Sequence, residues 1–327
     1  MRAQIRNLIL LLAIWGNFLT DGPAAEPSAP PDAKTTETVE IIYVGDIMLA
    51  DLPGKFIATG GDPFTAFAEV FEQADLVVGN LECAVGTTGK PIDKPWTFQA
   101  HPRVVPHLAK YFDAVSVANN HTGDYGPDAF LETLDHLRGN VGYFGGGKNL
   151  AAARQPLTFE KRGLKIVLLG YNEFKPRSFA ATDTQPGCAW GVDEHVLEDI
   201  KLARQRDEHA LILPYMHWGH EGDAEPSERQ TTFSRQMLDA GASAVIGAHP
   251  HNTQGWDAHA DKPIVYSLGN FVFDGFERPD ALVGWVLRLH CDRQGVASWE
   301  VLTARIDKNG IPALDKTATG PSWKRGE

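Results

Sequence analysis

Five short apolar runs in this chain are each followed at once by a carboxylate, amide or imidazole side chain. The clearest is SAVIG at 243–247, which leads into His249 and His251. The polar residues that follow the other four runs are Asp46, Asn80 with Glu82, Asn120 with His121, and His217. A single buried histidine is more often a satisfied core group than a ligand. Five such endings in register favour one convergent site, because ligand-binding groups of open α/β sheets gather at the carboxyl ends of the strands.

The apolar runs alternate with helix-like stretches through most of the chain, a pattern typical of an α/β protein. Strands are predicted at 39–45, 75–80, 112–119, 209–216 and 243–247, with a strand pair inside 157–171, and helices at 63–74, 101–111, 127–139, 193–206 and 228–240. After residue 262 the strand-like runs continue without helices between them, which indicates a mixed sheet. We therefore predict a four-layer α/β/β/α sandwich over residues 39–315, followed by a tail at 316–327.

The first 25 residues have the order of a secretory signal peptide. Arg2 and Arg6 precede an apolar stretch at 8–14, and small residues follow at 22–25. The apolar stretch is shorter than the roughly 20 residues that span a membrane. We predict a signal peptide at 1–25, with an uncleaved anchor as the alternative, and a Pro/Ser/Thr-rich flexible spacer at 26–38. The expected location is the periplasm or the outer face of the cell membrane.

The charge balance argues against a nucleic-acid-binding protein, and the cysteine spacing argues against a disulfide-rich or thiolate zinc protein. The chain has 30 basic and 42 acidic residues, a formal net charge of −12. Nucleic-acid binding is not expected, because it relies on basic patches. Cys83, Cys188 and Cys291 are widely spaced and form neither a disulfide framework nor a thiolate zinc motif. They allow one disulfide, whose pairing the spacing leaves open.

The residue types at the strand ends favour a transition-metal site. Asp46 supplies a hard anionic oxygen, and the imidazoles of His217, His249 and His251 supply nitrogen. Such a mixed set suits zinc, manganese or iron better than calcium. His121, oriented by an acidic residue three positions later, Asp124, is the candidate general acid.

Six motifs in this order carry a family resemblance: GDIML, GNLE, ANNHTGDYG, HWGHE, IGAHPHNTQ and YSLGNFVFD. Over residues 39–275 the chain resembles the bacterial capsule-synthesis family CapA (or PgsA), which is associated with poly-γ-glutamate. That family is in turn similar to the calcineurin-like metallophosphoesterases. The resemblance implies a four-layer fold with a two-metal centre between two sheets and His121 near the leaving group. The ligands it implies are Asp46, Glu82, Asn120, His217, His249 and His251.

The chain also departs from the phosphoesterase pattern. Phosphoesterases usually carry Asp-x-His after the first strand, where this chain has Asp46 and Met48. Asn80 stands in the place of their bridging aspartate, so Glu82 must reach farther to bridge two metals. A basic residue common in the CapA pattern is replaced here by Asp51. One ion, two ions and a changed substrate all stay open at this point.

Two functions are consistent with these features. The first is a metal-dependent hydrolase of the cell envelope that cleaves a phosphoester or amide bond during capsule or poly-γ-glutamate biosynthesis. Its substrate is an anionic polymer or a small phosphoester or amide. The second is a non-catalytic, metal-dependent component of a membrane complex for polymer synthesis or export. The missing histidine at Met48 and the acidic balance favour the second.

Overall fold

The structure, a computed structural model, describes residues 38–327. The predicted signal peptide and residues 26–37 of the predicted spacer lie outside this range. Among the described residues, no helix combines the length and the apolar character that crossing a membrane requires.

Strands and helices alternate as far as residue 248, and strands dominate after it. The strands are β1 Val39–Ile47, β2 Leu76–Leu81, β3 Ala84–Val85, β4 Gln99–Ala100, β5 Ala114–Ser116, β6 Gly142–Phe144, β7 Gly146–Gly147, β8 Leu157–Lys161, β9 Leu164–Asn172, β10 Gly187–Cys188, β11 Leu211–His217, β12 Val245–Ala248, β13 Thr253–His259, β14 Lys262–Leu268, β15 Asn270–Val272, β16 Val283–Asp292, β17 Gly295–Ile306, β18 Pro312–Leu314 and β19 Ser322–Lys324. The helices are α1 Asp51–Ala58, α2 Ala68–Gln73, α3 Val105–Tyr111, α4 Pro127–Leu137, α5 Leu150–Ala153, α6 Asp193–Arg206 and α7 Glu228–Asp239.

The strands form two large sheets. The first has the order β18-β17-β16-β1-β2-β5-β6, with β15 also paired to β1 and β19 to β17. In it β1, β2, β5 and β6 run parallel, while β16 and β17 are antiparallel, as the C-terminal pattern predicted. The second has the order β13-β14-β12-β11-β9-β8, and its four inner strands run parallel. The parallel strands of each sheet therefore end at a common edge.

Alternation along the strands separates the protein into layers. In β1, Ile41 and Tyr43 belong to the apolar core between the two sheets, whereas Ile42 and Val44 pack into a second core beneath helices α1 to α4. Successive side chains of a strand point to opposite faces, so both faces of the first sheet are covered.

The second sheet repeats this arrangement. Leu168 of β9 faces the core between the sheets, while its neighbour Val167 packs with Val196 of α6 and Phe233 of α7. Helices therefore cover the outer face of each sheet. The predicted α/β/β/α sandwich of four layers is confirmed.

Several boundaries differ from the sequence prediction for local reasons. The strand predicted at 112–119 is limited to β5, because the backbone beyond it bonds to side chains: the Ala118 N–H to the Ser116 hydroxyl, and the Val117 carbonyl to the Thr122 hydroxyl. Helix α1 was not predicted, since Pro53 and Gly54 weaken its helical signal.

The C-terminal segment predicted as a tail contains a strand. β19 pairs with β17, and Trp323 packs against the core between the sheets. Arg325 forms an ion pair with Asp292 at 3.0 Å. All three cysteines lie in the described range, where they are buried and unpaired.

Candidate metal centre

The first sheet brings three of the predicted ligands to its carboxyl edge. Asp46 lies near the end of β1, Glu82 directly follows β2, and Asn120 lies in the turn after β5. All three are buried. Gly45 is needed before Asp46, because a Cβ at this position would overlap the carbonyl oxygen of Gly269.

The second sheet supplies the three histidines. His217 is the last residue of β11, and His249 and His251 lie in the loop after β12. Both loop histidines have positive φ angles, 99° for His249 and 59° for His251. Non-glycine residues rarely adopt this conformation, which costs about 1–3 kcal/mol and is concentrated at functional sites.

The side chains of the two sheets meet at short distances. Asn120 Oδ1 lies 2.8 Å from His217 Nε2, and Glu82 Oε1 lies 3.4 Å from the same nitrogen. Asp46 Oδ2 is 3.4 Å from His251 Nδ1. The structure thus brings all five of these predicted ligands into one cluster, together with His249, whose ring lies 4.6 Å from the His217 ring.

Two members of this cluster are buried without a hydrogen-bond partner among the described residues. Neither carboxylate oxygen of Glu82 and neither ring nitrogen of His249 is bonded. A buried, unpartnered polar group is costly unless an ion or water satisfies it. These side chains therefore fit a divalent cation.

The potential ligand atoms fall into two overlapping groups. Glu82, His249 and His251 form one, and Asp46, Glu82 and His217 form the other, with the atoms of each group within 4.8 Å of one another. Glu82 is common to both. One carboxylate is therefore within reach of the ligand atoms of both groups.

Burial changes the proton affinity of these groups. It raises the pKa of Glu82 well above its ordinary value, and the nearby charge of Asp46 raises it further. Burial also lowers the pKa of His217 to about 3 and that of His249 well below its ordinary value. The imidazoles are thus held neutral, which is the form that binds metals.

Asp46 differs from Glu82. Burial alone raises the pKa of Asp46, but the hydrogen bond and the charge of His251, together with His217 and the Asn80 amide, hold it below its ordinary value. Asp46 is therefore kept as a carboxylate. The Asn80 Nδ2 group donates to Asp46 Oδ1 at 2.8 Å and lies 3.2 Å from His217 Nδ1, so Asn80 positions two ligands.

The two predicted catalytic residues form a buried pair beside the cluster. His121 Nδ1 lies 2.6 Å from Asp124 Oδ2, while His121 Nε2 lies 4.0 Å from Glu82 Oε1. Burial lowers the pKa of His121, although the hydrogen bond and charge of Asp124 raise it. The ring nitrogen opposite Asp124 is therefore directed toward the metal ligands.

Lys94 is a site residue that the sequence did not reveal. Its Nζ donates to Asp124 Oδ1 at 2.9 Å and to the backbone oxygen of Asn120 at 2.6 Å. It therefore neutralises the buried carboxylate that orients His121. Lys94 lies in an irregular loop whose sequence has no periodicity, so only its placement in the fold identifies it.

Met48 takes no part in the cluster. Its side chain is buried in the core beneath the helices, and its sulfur accepts a hydrogen bond from the Ala50 N–H at 3.2 Å. The nitrogen ligand expected at this position in a phosphoesterase is thus replaced by a packing group.

Residues 40–275 match the sequence model of a family described as bacterial capsule synthesis protein PGA_cap. The chain belongs to this family. It is 32% identical over 294 residues to PGA biosynthesis protein CapA of Bacillus subtilis (strain 168), an alignment that covers 87% of this chain and 75% of that protein. It is 30% identical over 346 residues to capsule biosynthesis protein CapA of Bacillus anthracis, covering 97% of this chain and 82% of that protein.

The fold also resembles solved structures. A 5'-nucleotidase precursor from Thermus thermophilus superposes with a TM-score of 0.50 and 11% sequence identity, covering 85% of this chain and 56% of that one. At this identity the likeness concerns the fold. This PGA_cap family member thus has a fold of metallophosphoesterase type, as the motifs implied.

Proposed function

We propose that this PGA_cap family member is a metal-dependent hydrolase of the cell envelope, exported and active in capsule or poly-γ-glutamate biosynthesis. The candidate bond is a phosphoester or an amide. The observation that carries the proposal is the Glu82 carboxylate, which is fully buried, has no hydrogen-bond partner among the described residues and belongs to both groups of potential ligands. Family membership supports the link to the polymer.

Asp46, Glu82 and His217 would hold one divalent ion, and Glu82, His249 and His251 a second. Asn120 Oδ1 is directed at the same space, 2.8 Å from His217 Nε2. Zinc, manganese and iron match this mixture of nitrogen and oxygen donors. When bound, such ions supply Lewis acidity toward a phosphoryl or carbonyl oxygen.

The protein's own contribution to the reaction is proton transfer and the exclusion of water. In its protonated form, His121 would carry a proton on the nitrogen opposite Asp124 and deliver it to the leaving group. Asp124 Oδ2 accepts the hydrogen bond from Nδ1 that fixes the ring, and the Lys94 ammonium forms an ion pair with Asp124 Oδ1. The Phe98 ring, 4.5 Å from the His121 ring, covers one of its faces.

A non-catalytic, metal-dependent role in a polymer synthesis or export assembly is the second candidate. The observation that favours it is Met48, which occupies the position of a phosphoesterase ligand and packs in the core instead. In this role, ions held by the same residues would bind the carboxylates of a polymer. Both candidates require bound metal, but only the hydrolase requires His121.

Metal analysis of Glu82→Gln tests the proposal. This isosteric change removes the charge and leaves the volume, so we expect about two equivalents of metal in the wild type and one or none in the variant. The matched control is Glu160→Gln, because Glu160 is exposed on β8 and lies outside both ligand groups. Elemental analysis of protein reconstituted with Zn²⁺ or Mn²⁺ gives the stoichiometry.

Absence of metal from the reconstituted wild type would refute both candidate functions. Retention of two equivalents by Glu82→Gln would refute the bridging assignment. With metal bound, a His121→Ala variant that retains full turnover of phosphoesters and γ-glutamyl amides would refute the role of His121. No turnover by the metal-loaded wild type would favour the assembly role.

A further inference from the structure

A pocket of about 210 Å³ opens directly onto the candidate metal centre. His121 and His251 line its inner end, and both side chains are more than nine-tenths buried. The Nε2 atom of His121 has no hydrogen-bond partner among the described residues. A molecule in this pocket would therefore contact the candidate general acid and a candidate metal ligand together.

The walls of the pocket are aromatic. Phe98, Phe273 and Phe276 form a connected group, with ring centroids 5.6 Å apart between Phe98 and Phe273 and 5.2 Å apart between Phe273 and Phe276. Trp96 completes the wall, yet it is 71% exposed. A tryptophan with so much free surface beside a cavity offers an apolar face for a ligand to cover.

Apart from the two histidines, the polar side chains at the pocket are acidic. Asp51 and Glu221 are exposed, and Asp274 is half-buried and accepts a hydrogen bond from the Leu52 N–H at 3.1 Å. Among the described residues that line the pocket, there is no lysine or arginine. Lys94 lies behind His121, and its charge is neutralised by Asp124. Aromatic faces combined with an excess of carboxylates attract organic cations and repel anions.

We propose that this pocket binds an organic ammonium group, so that the part of the substrate on the His121 side is an amine or an amine-bearing substituent and not a carboxylate or phosphate. The inference rests on the proposed function in treating the pocket as the entrance to the metal centre. It restricts the candidate bonds to those whose leaving group carries an amine. An amide that releases an amine next to His121 meets this condition.

Ligand binding distinguishes the charge preference from catalysis. Three probes of similar size carry different groups: 2-phenylethylamine is cationic at neutral pH, 2-phenylethanol is neutral and 3-phenylpropionate is anionic. We expect the amine to bind at least tenfold more tightly than the carboxylate, in saturation-transfer NMR on the metal-free protein. The alcohol is expected between them.

Two variants separate the contributions of charge and aromatic surface. The double variant Asp51→Asn/Glu221→Gln reduces the preference for the amine over the alcohol by about three- to tenfold, because two carboxylates near the ligand are removed. Trp96→Leu weakens the binding of all three probes. Trp256→Leu is the matched control, since Trp256 is 40% exposed on β13, away from the pocket, and its loss is expected to change nothing.

Equal or tighter binding of the carboxylate would overturn the proposal, as would identical effects of Trp96→Leu and Trp256→Leu. The measurements on the metal-free protein do not involve bound ions, so they are distinguishable from failure of the hydrolase proposal. A protein that binds two metals but prefers 3-phenylpropionate retains the proposed centre and loses the proposed ligand class.

Discussion

Replacing Asn80 by aspartate tests the electrostatics of the candidate centre most directly. Asn80 Nδ2 donates to Asp46 Oδ1 at 2.8 Å, and both side chains are buried. Asn80→Asp restores the residue type that phosphoesterases carry here and places two carboxylates in contact. We expect the variant to be less stable than the wild type without metal and to regain stability when metal is added.

The distance sets the size of the effect. Two unit charges 2.8 Å apart at an effective dielectric constant of about 20 repel by about 6 kcal/mol. The folded variant avoids this repulsion by protonating one of the two carboxyl groups, which costs less. At pH 7, roughly three units above an aspartate pKa of about 3.9, protonation costs about 1.36 kcal/mol per unit, or about 4 kcal/mol in total. The loss of stability is therefore limited to about 4 kcal/mol.

The sign of the pH dependence follows from this proton. In the folded variant the protonated carboxyl has a raised pKa. The loss in free energy of unfolding is therefore largest at neutral pH and falls as the pH approaches the pKa of the unfolded state. At pH 5 the same arithmetic leaves about 1.5 kcal/mol. For a domain of about 290 residues, whose unfolding entropy is about 0.6 kcal/mol/K, 4 kcal/mol lowers Tm by about 6–7 °C.

Thermal unfolding at pH 7 and pH 5, with and without Mn²⁺, measures these quantities. Asn140→Asp is the control, because Asn140 is exposed and its side chain donates only to the backbone oxygen of His136. A metal-free Asn80→Asp protein as stable as the wild type would show that residues 46 and 80 are not in contact. An equal penalty at both pH values, or one that Mn²⁺ leaves unchanged, would refute the charge argument.

Three further predictions concern the elements around the site. Lys94→Met leaves a buried carboxylate without its cation and is expected to lower the free energy of unfolding by about 2–3 kcal/mol in urea titrations, whereas the exposed Lys90→Met is expected to have little effect. Glu132 accepts hydrogen bonds from the Thr88 N–H and hydroxyl, among others. Burial raises the pKa of Glu132, but these hydrogen bonds lower it more and bring it to about 2. Because this pKa is lowered, Glu132→Gln should lower the free energy of unfolding by about 1–2 kcal/mol at pH 7. The difference from the wild type should shrink below about pH 4.5 and disappear near pH 2, and a difference that stays constant with pH would contradict this. Deleting residues 316–327 removes β19 and should lower Tm by several degrees in calorimetry, and an unchanged Tm would show that the strand contributes nothing.

The strand ends were predictable because each is encoded locally. Asp46 and His217 follow their own apolar runs, and parallel strands end at the same edge of a sheet. The placement of a metal centre between the two sheets came from the family resemblance, since no short-range pattern relates residue 82 to residue 217. The shared position of Glu82 between the two ligand groups emerges only from the fold.

Features that depend on contacts distant in sequence were missed. Lys94 reaches Asp124 across 30 positions from a loop without periodicity. β19 has three residues, too few for a strand pattern, and is held by pairing with β17. The acidic and aromatic pocket was equally hidden, because its lining comes from segments between residues 51 and 276.

The division of the candidate ligands between the two sheets ties the site to the apolar layer that separates them. Asp46 and Glu82 come from one sheet and the histidines from the other, while Tyr215, within that layer, donates its hydroxyl proton to the Val44 backbone oxygen at 2.7 Å. The thickness of this close-packed layer therefore sets the distance between the two sets of ligands. We therefore expect a methyl group added or removed in this layer to shift one set of ligands relative to the other and to change the metal affinity of the proposed centre.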